Sequence, residues 1–356
     1  MNEGSKERAV VYCEEAFATT NGKTAHGLLR FSMRYEIVAL IDSTLPKGDA
    51  GQYLDGRKCN IPIVHSLAEV MALGNVTQFI IGLTPDGGKL NQQARSAVIE
   101  AISEGLHVTS GLHDYLSEDE ELSELALSRG VTLHDVRKPP CNSELHFFSG
   151  AIEDVTALTI AVLGTDSAVG KRTSAWKLWE EFNSLGLKTE FIGTGQTAWL
   201  QGATYSIVLD SLVNDFVSGE IEHAVVSAWR ERDPDVIIVE GQGSLLHPAY
   251  PGGFEILAAA RPDLIVLQHA PGRKVYDGFP AYSIHPLDYQ IQALEVVSQK
   301  PIAAITLNHD GLTEEQLIQY LTEIELETGI LTSDILREGP NRVAKHIIST
   351  YWDDKQ

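Results

Sequence analysis

A glycine-bounded segment near the middle of the chain has the residue types of a phosphate-binding loop. The apolar run Thr159–Leu163 leads into Gly164-Thr-Asp-Ser-Ala-Val-Gly170-Lys171, and apolar residues then recur at helical spacing. A strand, a glycine-rich turn and a helix N-terminus direct backbone N–H groups at phosphate oxygens, and the lysine adds a point charge. The residues expected to bind phosphate here are Gly164, Thr165, Ser167, Gly170, Lys171, Arg172 and Thr173.

This loop departs from the commonest phosphate-loop pattern in two ways. Five residues separate Gly164 from Gly170, where the usual pattern has four. Arg172 also occupies the position at which a serine or threonine normally binds magnesium. Thr173, one position later, is the remaining candidate for that metal contact, while an arginine at position 172 would suit an additional phosphate group.

A second candidate segment is Val236-Ile-Ile-Val-Glu240-Gly-Gln-Gly243, an apolar strand that ends in a carboxylate and a glycine-rich turn. Glu240 could hold a magnesium ion or accept a proton as a general base, and capping of its own turn is the structural alternative. Gly241 and Gly243 allow backbone N–H groups to approach a ligand closely. We expect Glu240 to face the phosphate loop, because the carboxyl ends of parallel strands share one edge of the sheet.

More polar residues follow predicted strands at the same edge. They are Thr194, Gln196, Asp210 and His269. We expect these four residues to lie near the phosphate loop, where they could contact a substrate. Asp215 and Glu222 differ from them, because they lie seven apart on one face of a predicted helix. We interpret that pair as a solvated acidic face.

Strand-like and helix-like segments alternate along the chain, which predicts parallel sheets covered by helices. The fold class is α/β, with an N-terminal Rossmann-like doubly wound sheet over residues 1–140 and a C-terminal P-loop NTPase-like parallel sheet over residues 158–356. Residues 141–157 form a crossing segment after Lys138-Pro-Pro140, which breaks regular structure. The predicted strands are Ala9–Tyr12, Glu36–Ile41, Gln78–Leu83, Leu106–Thr109, Val131–Asp135, Leu158–Leu163, Thr189–Ile192, Ser206–Leu209, Val236–Glu240, Leu264–Gln268 and Pro301–Leu307.

Composition excludes several classes of partner. The chain of 356 residues has a formal net charge of −22, which argues against nucleic acid and anionic membranes because both attract basic surfaces. Its apolar stretches are far shorter than the roughly 20 residues that span a bilayer, and its polar N-terminus lacks a signal-peptide core. The three cysteines are odd in number and widely spaced, so we expect reduced thiols and neither a disulfide framework nor a zinc site. We therefore expect a cytoplasmic protein that acts on small molecules. We also expect it to form a homo-oligomer.

The second half resembles dethiobiotin synthetase in its motifs. That family combines a Gly-Thr-Asp-x-x-Val-Gly-Lys loop with a later Val-Glu-Gly-x-Gly strand end, and both patterns occur here at Gly164–Lys171 and Val239–Gly243. The resemblance continues at Ile305-Thr-Leu-Asn308, where Asn308 matches the asparagine that contacts the purine. It implies an enzyme that uses ATP and magnesium, with Lys171, Thr173 and Glu240 at the γ-phosphate and the metal.

A resemblance to a two-domain family with members described as D-glutamate N-acetyltransferases covers nearly the whole chain. The segments that carry it are Gly22–Arg30, Gly111–His113, Asp135–Pro140, the phosphate loop, Gly193–Thr197, Asn214–Glu220, Val239–Ser244 and Gln268–Arg273. This resemblance implies transfer of an acetyl group from acetyl-coenzyme A to the amino group of a small acidic amino acid.

In that case the loop holds a phosphate of acetyl-coenzyme A and does not split ATP. Glu240 and His269 are the candidates for the base that deprotonates the amine. Gln196, or the backbone N–H groups of Gly241 and Gly243, could stabilise the developing oxyanion. The substrate-binding candidates are Lys23, Thr194, Asp210 and Arg273, of which the two cations would bind carboxylates. A nucleotide-binding regulator without chemistry is a third possibility.

Overall fold

Two parallel β-sheets organise the chain, and a computed structural model describes residues 6–352. Each sheet lies in its own compact unit. The first unit comprises the chain up to Pro140 together with Gln196–Ala203, and the second comprises Cys141–Gly195 and the chain from Thr204 onward. The predicted α/β class is confirmed. Within residues 6–352, no helix has the length and apolarity needed to cross a membrane.

The first sheet has seven strands in the order β3-β4-β2-β1-β5-β6-β7. All neighbouring pairs are parallel except β3 and β4. Its strands are β1 (Glu7–Tyr12), β2 (Tyr35–Ile41), β3 (Gly48–Asp49), β4 (Pro62–Val64), β5 (Gln78–Ile81), β6 (His107–Ser110) and β7 (Leu133–Asp135). Its helices are α1 (Lys23–Arg30), α2 (Ala50–Asp55), α3 (Leu67–Met71), α4 (Gln92–Ser103) and α5 (Glu120–Arg129).

The second sheet also has seven strands, in the order β10-β9-β11-β8-β12-β15-β16, and every pair is parallel. Its strands are β8 (Leu158–Gly164), β9 (Thr189–Gly193), β10 (Tyr205–Ser206), β11 (Val236–Glu240), β12 (Leu264–His269), β15 (Ile302–Leu307) and β16 (Thr332–Ser333). The hairpin of β13 (Val275–Tyr276) and β14 (Phe279–Ser283) stands apart from it. The helices are α6 (Lys171–Ser184), α8 (Asn214–Arg232), α9 (Phe254–Ala259), α10 (Leu287–Ser298), α11 (Glu314–Thr328), α12 (Ile335–Glu338) and α13 (Asn341–Ile347).

One short helix leaves the second half and packs with the first unit. Helix α7 (Gln196–Gln201) follows β9 in the chain, but its side chains contact α1. The hydroxyls of Thr197 and Thr24 lie 2.9 Å apart, and the Gln201 amide donates to the carbonyl of Gly27 at 2.8 Å. This segment lies within the range 158–356 predicted for the second domain, so the units are not continuous stretches of sequence.

The sequence interpretation of Glu222 as part of a solvated face is wrong. Its side chain is buried on α8, with 3% of the residue exposed. The carboxylate accepts hydrogen bonds from the backbone and hydroxyl of Ser149 and from the backbone of Ile152. It therefore anchors the segment that precedes β8 to the helix. Burial alone would raise the pKa of Glu222, but these hydrogen bonds outweigh it and hold the pKa below its usual value.

Removing this anchor is expected to destabilise the second unit. We expect Glu222→Ala to lower the free energy of unfolding by about 2 kcal/mol, because it leaves the buried N–H of Ile152 and the part-buried N–H of Ser149 without their acceptor. Since the folded pKa lies below the unfolded one, the carboxylate stabilises the fold above the ordinary glutamate pKa. That stabilisation is lost as the pH falls through the folded value. Urea unfolding between pH 3 and pH 7, which spans the ordinary pKa of 4.5, measures both effects. Asp215→Asn on the exposed part of the same helix is the control, and equal losses for the two variants would contradict the assignment.

Candidate functional site

The predicted phosphate loop lies at the carboxyl end of β8, near the centre of the second sheet. All residues of β8 are buried, as its apolar sequence predicts. The loop then turns into α6 through Gly170, whose φ of 107° is in the left-handed region that favours glycine. The other bounding residue, Gly164, packs closely against Lys171, since a Cβ there would come within 2.9 Å of Lys171 Cδ and would displace that side chain. Gly170 is therefore favoured by the backbone conformation, and Gly164 by its close packing against Lys171 and Val169.

Lys171 joins the loop to the turn that follows β11. Its Nζ donates to the carbonyl oxygens of Asp166 and Gly243, each at 2.7 Å. The residue is 7% exposed, so the ammonium is held beneath the loop and not in bulk water. The first residue of α6 thus places a positive charge where the helix N-terminus also favours an anion.

The outer side of the loop is held by Arg273 and Asp277. Arg273 Nη1 donates to Asp166 Oδ2 at 2.9 Å and to the Ser167 carbonyl at 2.7 Å, and Nη2 donates to the Ala168 carbonyl at 3.0 Å. The backbone N–H of Asp277 also donates to Asp166 Oδ2, at 3.1 Å. We predicted Arg273 to bind substrate carboxylates, whereas its guanidinium in this structure supports the loop.

Glu240 ends β11 beside the loop and is almost completely buried, with 3% of the residue exposed. Its Oε2 accepts a hydrogen bond from the Thr194 backbone at 2.9 Å, and the Thr194 hydroxyl donates to the Glu240 carbonyl at 3.0 Å. Gln242 donates in turn to that hydroxyl at 2.9 Å. Thr194, which we predicted to bind substrate, therefore positions the end of β11. Burial raises the pKa of Glu240, although Arg172 opposes the shift.

Arg172 is the cation that pairs with that carboxylate. Its Nη1 lies 3.8 Å from Glu240 Oε1, and its side chain is 22% exposed. Thr173, predicted as the alternative metal contact, is half-buried at the next position of α6. The position that usually carries the magnesium-binding hydroxyl is therefore filled by a guanidinium that faces the strand-end carboxylate.

His269 ends β12 on the other side of β8, so both neighbours of the central strand carry a predicted catalytic residue. Its Nδ1 lies 2.9 Å from the hydroxyl of Thr165 in the loop. Burial, with a smaller contribution from Lys274, lowers the pKa of His269 to about 4. The imidazole is therefore neutral at pH 7, and its Nδ1 is oriented by the loop.

Asn308, which we predicted to contact a ligand, also supports the loop. Its Nδ2 donates to the Val169 carbonyl at 2.9 Å, and its Oδ1 accepts from the Asp310 backbone at 2.9 Å. Both ends of the amide are therefore engaged within the protein. The neighbouring Gln268 accepts at Oε1 from the hydroxyls of Ser174 and Thr306, each at 2.5 Å.

The structure shows a buried group of polar side chains beside the loop that the sequence did not predict. It consists of Ser244, His247 and Tyr276, each 2% exposed, and their Oγ, Nε2 and Oη atoms make no hydrogen bond. His247 Nε2 lies 3.5 Å from Asp166 Oδ1, and the rings of His247 and Tyr276 are 4.9 Å apart. The sequence signal was the histidine of Leu246-His-Pro248, but nothing in the local pattern places it against Asp166.

Two of the predicted residues belong to the first unit, and a third lies on a short turn of the second. Lys23 is exposed at the start of α1, in the first unit. Gln196 also belongs to the first unit, where its side chain packs against Gly111. Asp210 is exposed on a 3-10 turn, because the predicted strand Ser206–Leu209 is only the two-residue β10.

The first unit lacks the features of a dinucleotide site at its first turn. Asp42 follows β2, where an acidic residue binds the ribose in dinucleotide-binding folds. Here the carboxylate is 1% exposed and accepts from the backbone of Glu15 and Phe17 and from the Thr44 hydroxyl. These hydrogen bonds hold the segment that follows β1, and that segment does not contain the three-glycine fingerprint of dinucleotide-binding folds.

The fold and the site together define a two-domain α/β protein with a Rossmann-like unit and a phosphate-loop unit. Two family models match the chain, and both are described as domains of unknown function. The DUF1611_N Rossmann-like domain matches residues 43–139, and the DUF1611_C P-loop domain matches residues 146–344. The chain belongs to this family.

Solved and curated relatives agree with that assignment. A DUF1611 family protein from Anabaena variabilis has a crystal structure that matches with a TM-score of 0.88 at 28% identity, covering 97% of this chain and 100% of that one. A protein of Tritonibacter scottomollicae named D-glutamate N-acetyltransferase is 30% identical over 82% of this chain and 86% of its own length. A protein of the same name from Pseudoalteromonas is 28% identical over 79% and 84%.

Proposed function

We propose that this protein is an N-acetyltransferase that moves the acetyl group of acetyl-coenzyme A to the amino group of D-glutamate. The observation that carries the proposal is similarity over about four fifths of the chain to two relatives named for that reaction. The phosphate loop supports it, since coenzyme A carries phosphate groups that such a loop is suited to bind.

The residues of the second unit fit a bound diphosphate. The N-terminus of α6 supplies backbone N–H groups, and Lys171 and Arg172 supply positive charge beside them. This local charge is needed because the chain as a whole carries −22 and repels anions. Acetyl-coenzyme A supplies the activated acyl group as a thioester, and the protein has to bind it, orient it and remove a proton from the amine.

The geometry favours direct transfer over an acyl-enzyme at Ser244. A serine nucleophile needs a histidine nitrogen that can accept its proton. In His247, however, Nδ1 already accepts from the backbone N–H groups of Ala249 and Tyr250, at 3.1 and 2.9 Å. The neutral ring therefore carries its proton on Nε2, which faces Asp166. Neither nitrogen can act as a base for Ser244.

In direct transfer the amine nitrogen bonds to the acetyl carbon, the carbon–sulfur bond breaks, and the sulfur leaves with the bonding electrons. The ammonium of the substrate must first lose a proton. We propose His269 as the acceptor, because it is neutral at pH 7 and its contact through Nδ1 with Thr165 leaves Nε2 for the proton. Glu240 is the less accessible candidate, with a carboxylate already hydrogen-bonded to Thr194.

The pH dependence separates these two bases. If His269 is the base, we expect kcat/KM of the wild type to carry an acid limb near its pKa of about 4. The variant His269→Asn should lose that limb together with roughly 100-fold or more of kcat, since general bases contribute about 10² to 10⁴. Loss of the limb in Glu240→Gln, with His269→Asn unaffected, would instead assign the base to Glu240.

Product analysis tests the proposed reaction. The protein, acetyl-coenzyme A and D-glutamate should yield N-acetylated D-glutamate by mass spectrometry, and L-glutamate should yield much less. If neither enantiomer of glutamate is acetylated but other amino acids are, the protein is an acetyltransferase and the proposed acceptor is wrong. An unchanged acetyl-coenzyme A pool with every acceptor would overturn the reaction itself.

A further inference from the structure

We propose that the phosphate site works without a divalent metal, because Arg172 supplies the positive charge that magnesium supplies in other phosphate-loop proteins. The ligand class is therefore a metal-free diphosphate, as in coenzyme A, and not a magnesium–nucleoside triphosphate. This inference rests on the proposed function for the name of the ligand, but its geometry stands on the site alone.

Magnesium in such folds needs oxygen ligands at about 2.0–2.1 Å, including the hydroxyl that follows the loop lysine. Position 172 offers a guanidinium, which has only hydrogen-bond donors and cannot ligate a metal. Thr173 does not replace the missing hydroxyl. One residue along an α-helix is a rotation of about 100°, so its side chain leaves α6 in a different direction from that of Arg172.

Asp277 accepts a hydrogen bond from the Ser167 hydroxyl of the loop at 3.2 Å. The other two carboxylates beside the loop, Glu240 and Asp166, are also already engaged. Glu240 faces Arg172 at 3.8 Å through Oε1 and accepts from the Thr194 backbone through Oε2. Asp166, which is 0% exposed, pairs with Arg273 at 2.9 Å and accepts from the Asp277 backbone. A metal at either carboxylate would have to approach an arginine side chain, and the like charges repel. Across residues 6–352 there is also no group of three or more acidic, histidine or cysteine side chains arranged to hold a metal ion.

The fixed charges suit an anion that arrives without its own cation. A guanidinium gives directed, charge-assisted hydrogen bonds to phosphate oxygens, and it remains charged at any working pH. Lys171 adds a second cation one residue earlier in the chain. Arg172 stands where the magnesium-binding hydroxyl usually stands, so a ligand that arrives with its own magnesium meets a like charge there. The arrangement therefore selects for the free diphosphate.

Isothermal titration of the full chain tests this inference. The probes are acetyl-coenzyme A and inorganic pyrophosphate, each titrated in EDTA and in excess magnesium. We expect the wild-type Kd for acetyl-coenzyme A to differ by less than about twofold between the two conditions. We expect Arg172→Thr to weaken binding of both probes in EDTA by roughly tenfold or more, because one charge-assisted hydrogen bond to the phosphate is lost. Magnesium should restore part of that loss for pyrophosphate, through the introduced hydroxyl and the released Glu240 carboxylate.

Two further variants control for effects on folding and on general charge. Arg172→Lys keeps the charge and should retain metal-independent binding, while Lys177→Thr removes an exposed cation of α6 that pairs with Glu180 and should change nothing. Wild-type binding that is at least tenfold tighter with magnesium would overturn the inference while leaving the proposed function intact. Binding of pyrophosphate without metal, together with no binding of acetyl-coenzyme A, would overturn the proposed function and leave the inference about the metal-free site intact.

Discussion

Replacing Lys171 with alanine is expected to raise the KM for acetyl-coenzyme A by roughly 10- to 100-fold, which corresponds to the loss of one charge-assisted interaction. The ammonium lies beneath the loop and bonds to the carbonyls of Asp166 and Gly243. Its removal therefore takes away both a charge and a link between the loop and the end of β11. Steady-state kinetics with acetyl-coenzyme A as the varied substrate measure the effect.

Two variants make this result specific. Lys177→Ala removes a lysine of the same helix whose partner is the exposed Glu180, so its KM should match that of the wild type. Lys171→Arg keeps the charge and should lose less than the alanine variant. A KM for acetyl-coenzyme A that stays unchanged in Lys171→Ala would show that the loop does not hold this substrate.

Gly241→Ala is expected to have the second large effect, on both stability and binding. A Cβ at position 241 would lie 2.3 Å from the Val162 carbonyl and 3.1 Å from Leu163 Cα, both of which are backbone atoms of β8. Backbone cannot move aside as a flexible side chain can, so we expect the free energy of unfolding to fall by about 2 kcal/mol or more. The ends of β8 and β11 must also separate, which displaces the loop and weakens phosphate binding.

Thermal unfolding and pyrophosphate titration of this variant measure the two effects. Gly48→Ala in the first unit is the matched control, because a Cβ there meets nothing within 4 Å and the backbone has no positive φ. The control should keep its Tm and its affinity. If Gly241→Ala behaved like Gly48→Ala, the tight approach of the two strands described here would be contradicted.

The fold was predictable where a local pattern has a single physical explanation. The buried strand β8 is apolar throughout, and a glycine-rich turn and a helical repeat follow it, so strand, loop and helix could be read from consecutive residues. Strands of two residues, such as β10 and β16, have no periodicity to detect. The excursion of α7 into the first unit could not be predicted, because sequence patterns do not show which unit a short helix packs against.

The sequence predicted which polar residues lie at strand ends, but it did not predict the hydrogen-bond partners of their side chains. Position at the carboxyl edge of a parallel sheet correctly placed Glu240 and His269 beside the loop. Arg273 was assigned to the substrate because a cation in a loop suits a carboxylate, yet it pairs with Asp166, which lies more than 100 residues earlier. Periodicity placed Glu222 on one face of a helix, but it could not show that Ser149 covers that face. Partners distant in sequence are set by tertiary packing, which local patterns do not contain.

The central claim is that the phosphate loop serves acetyl transfer, and one paired assay tests it most directly. Free thiol released from acetyl-coenzyme A and phosphate released from ATP with magnesium are measured on the same preparation, with and without D-glutamate. We predict thiol release that depends on D-glutamate and no phosphate release. Phosphate release without thiol release would contradict the account, and it would favour the ATP-dependent synthetase that the loop motif also resembles.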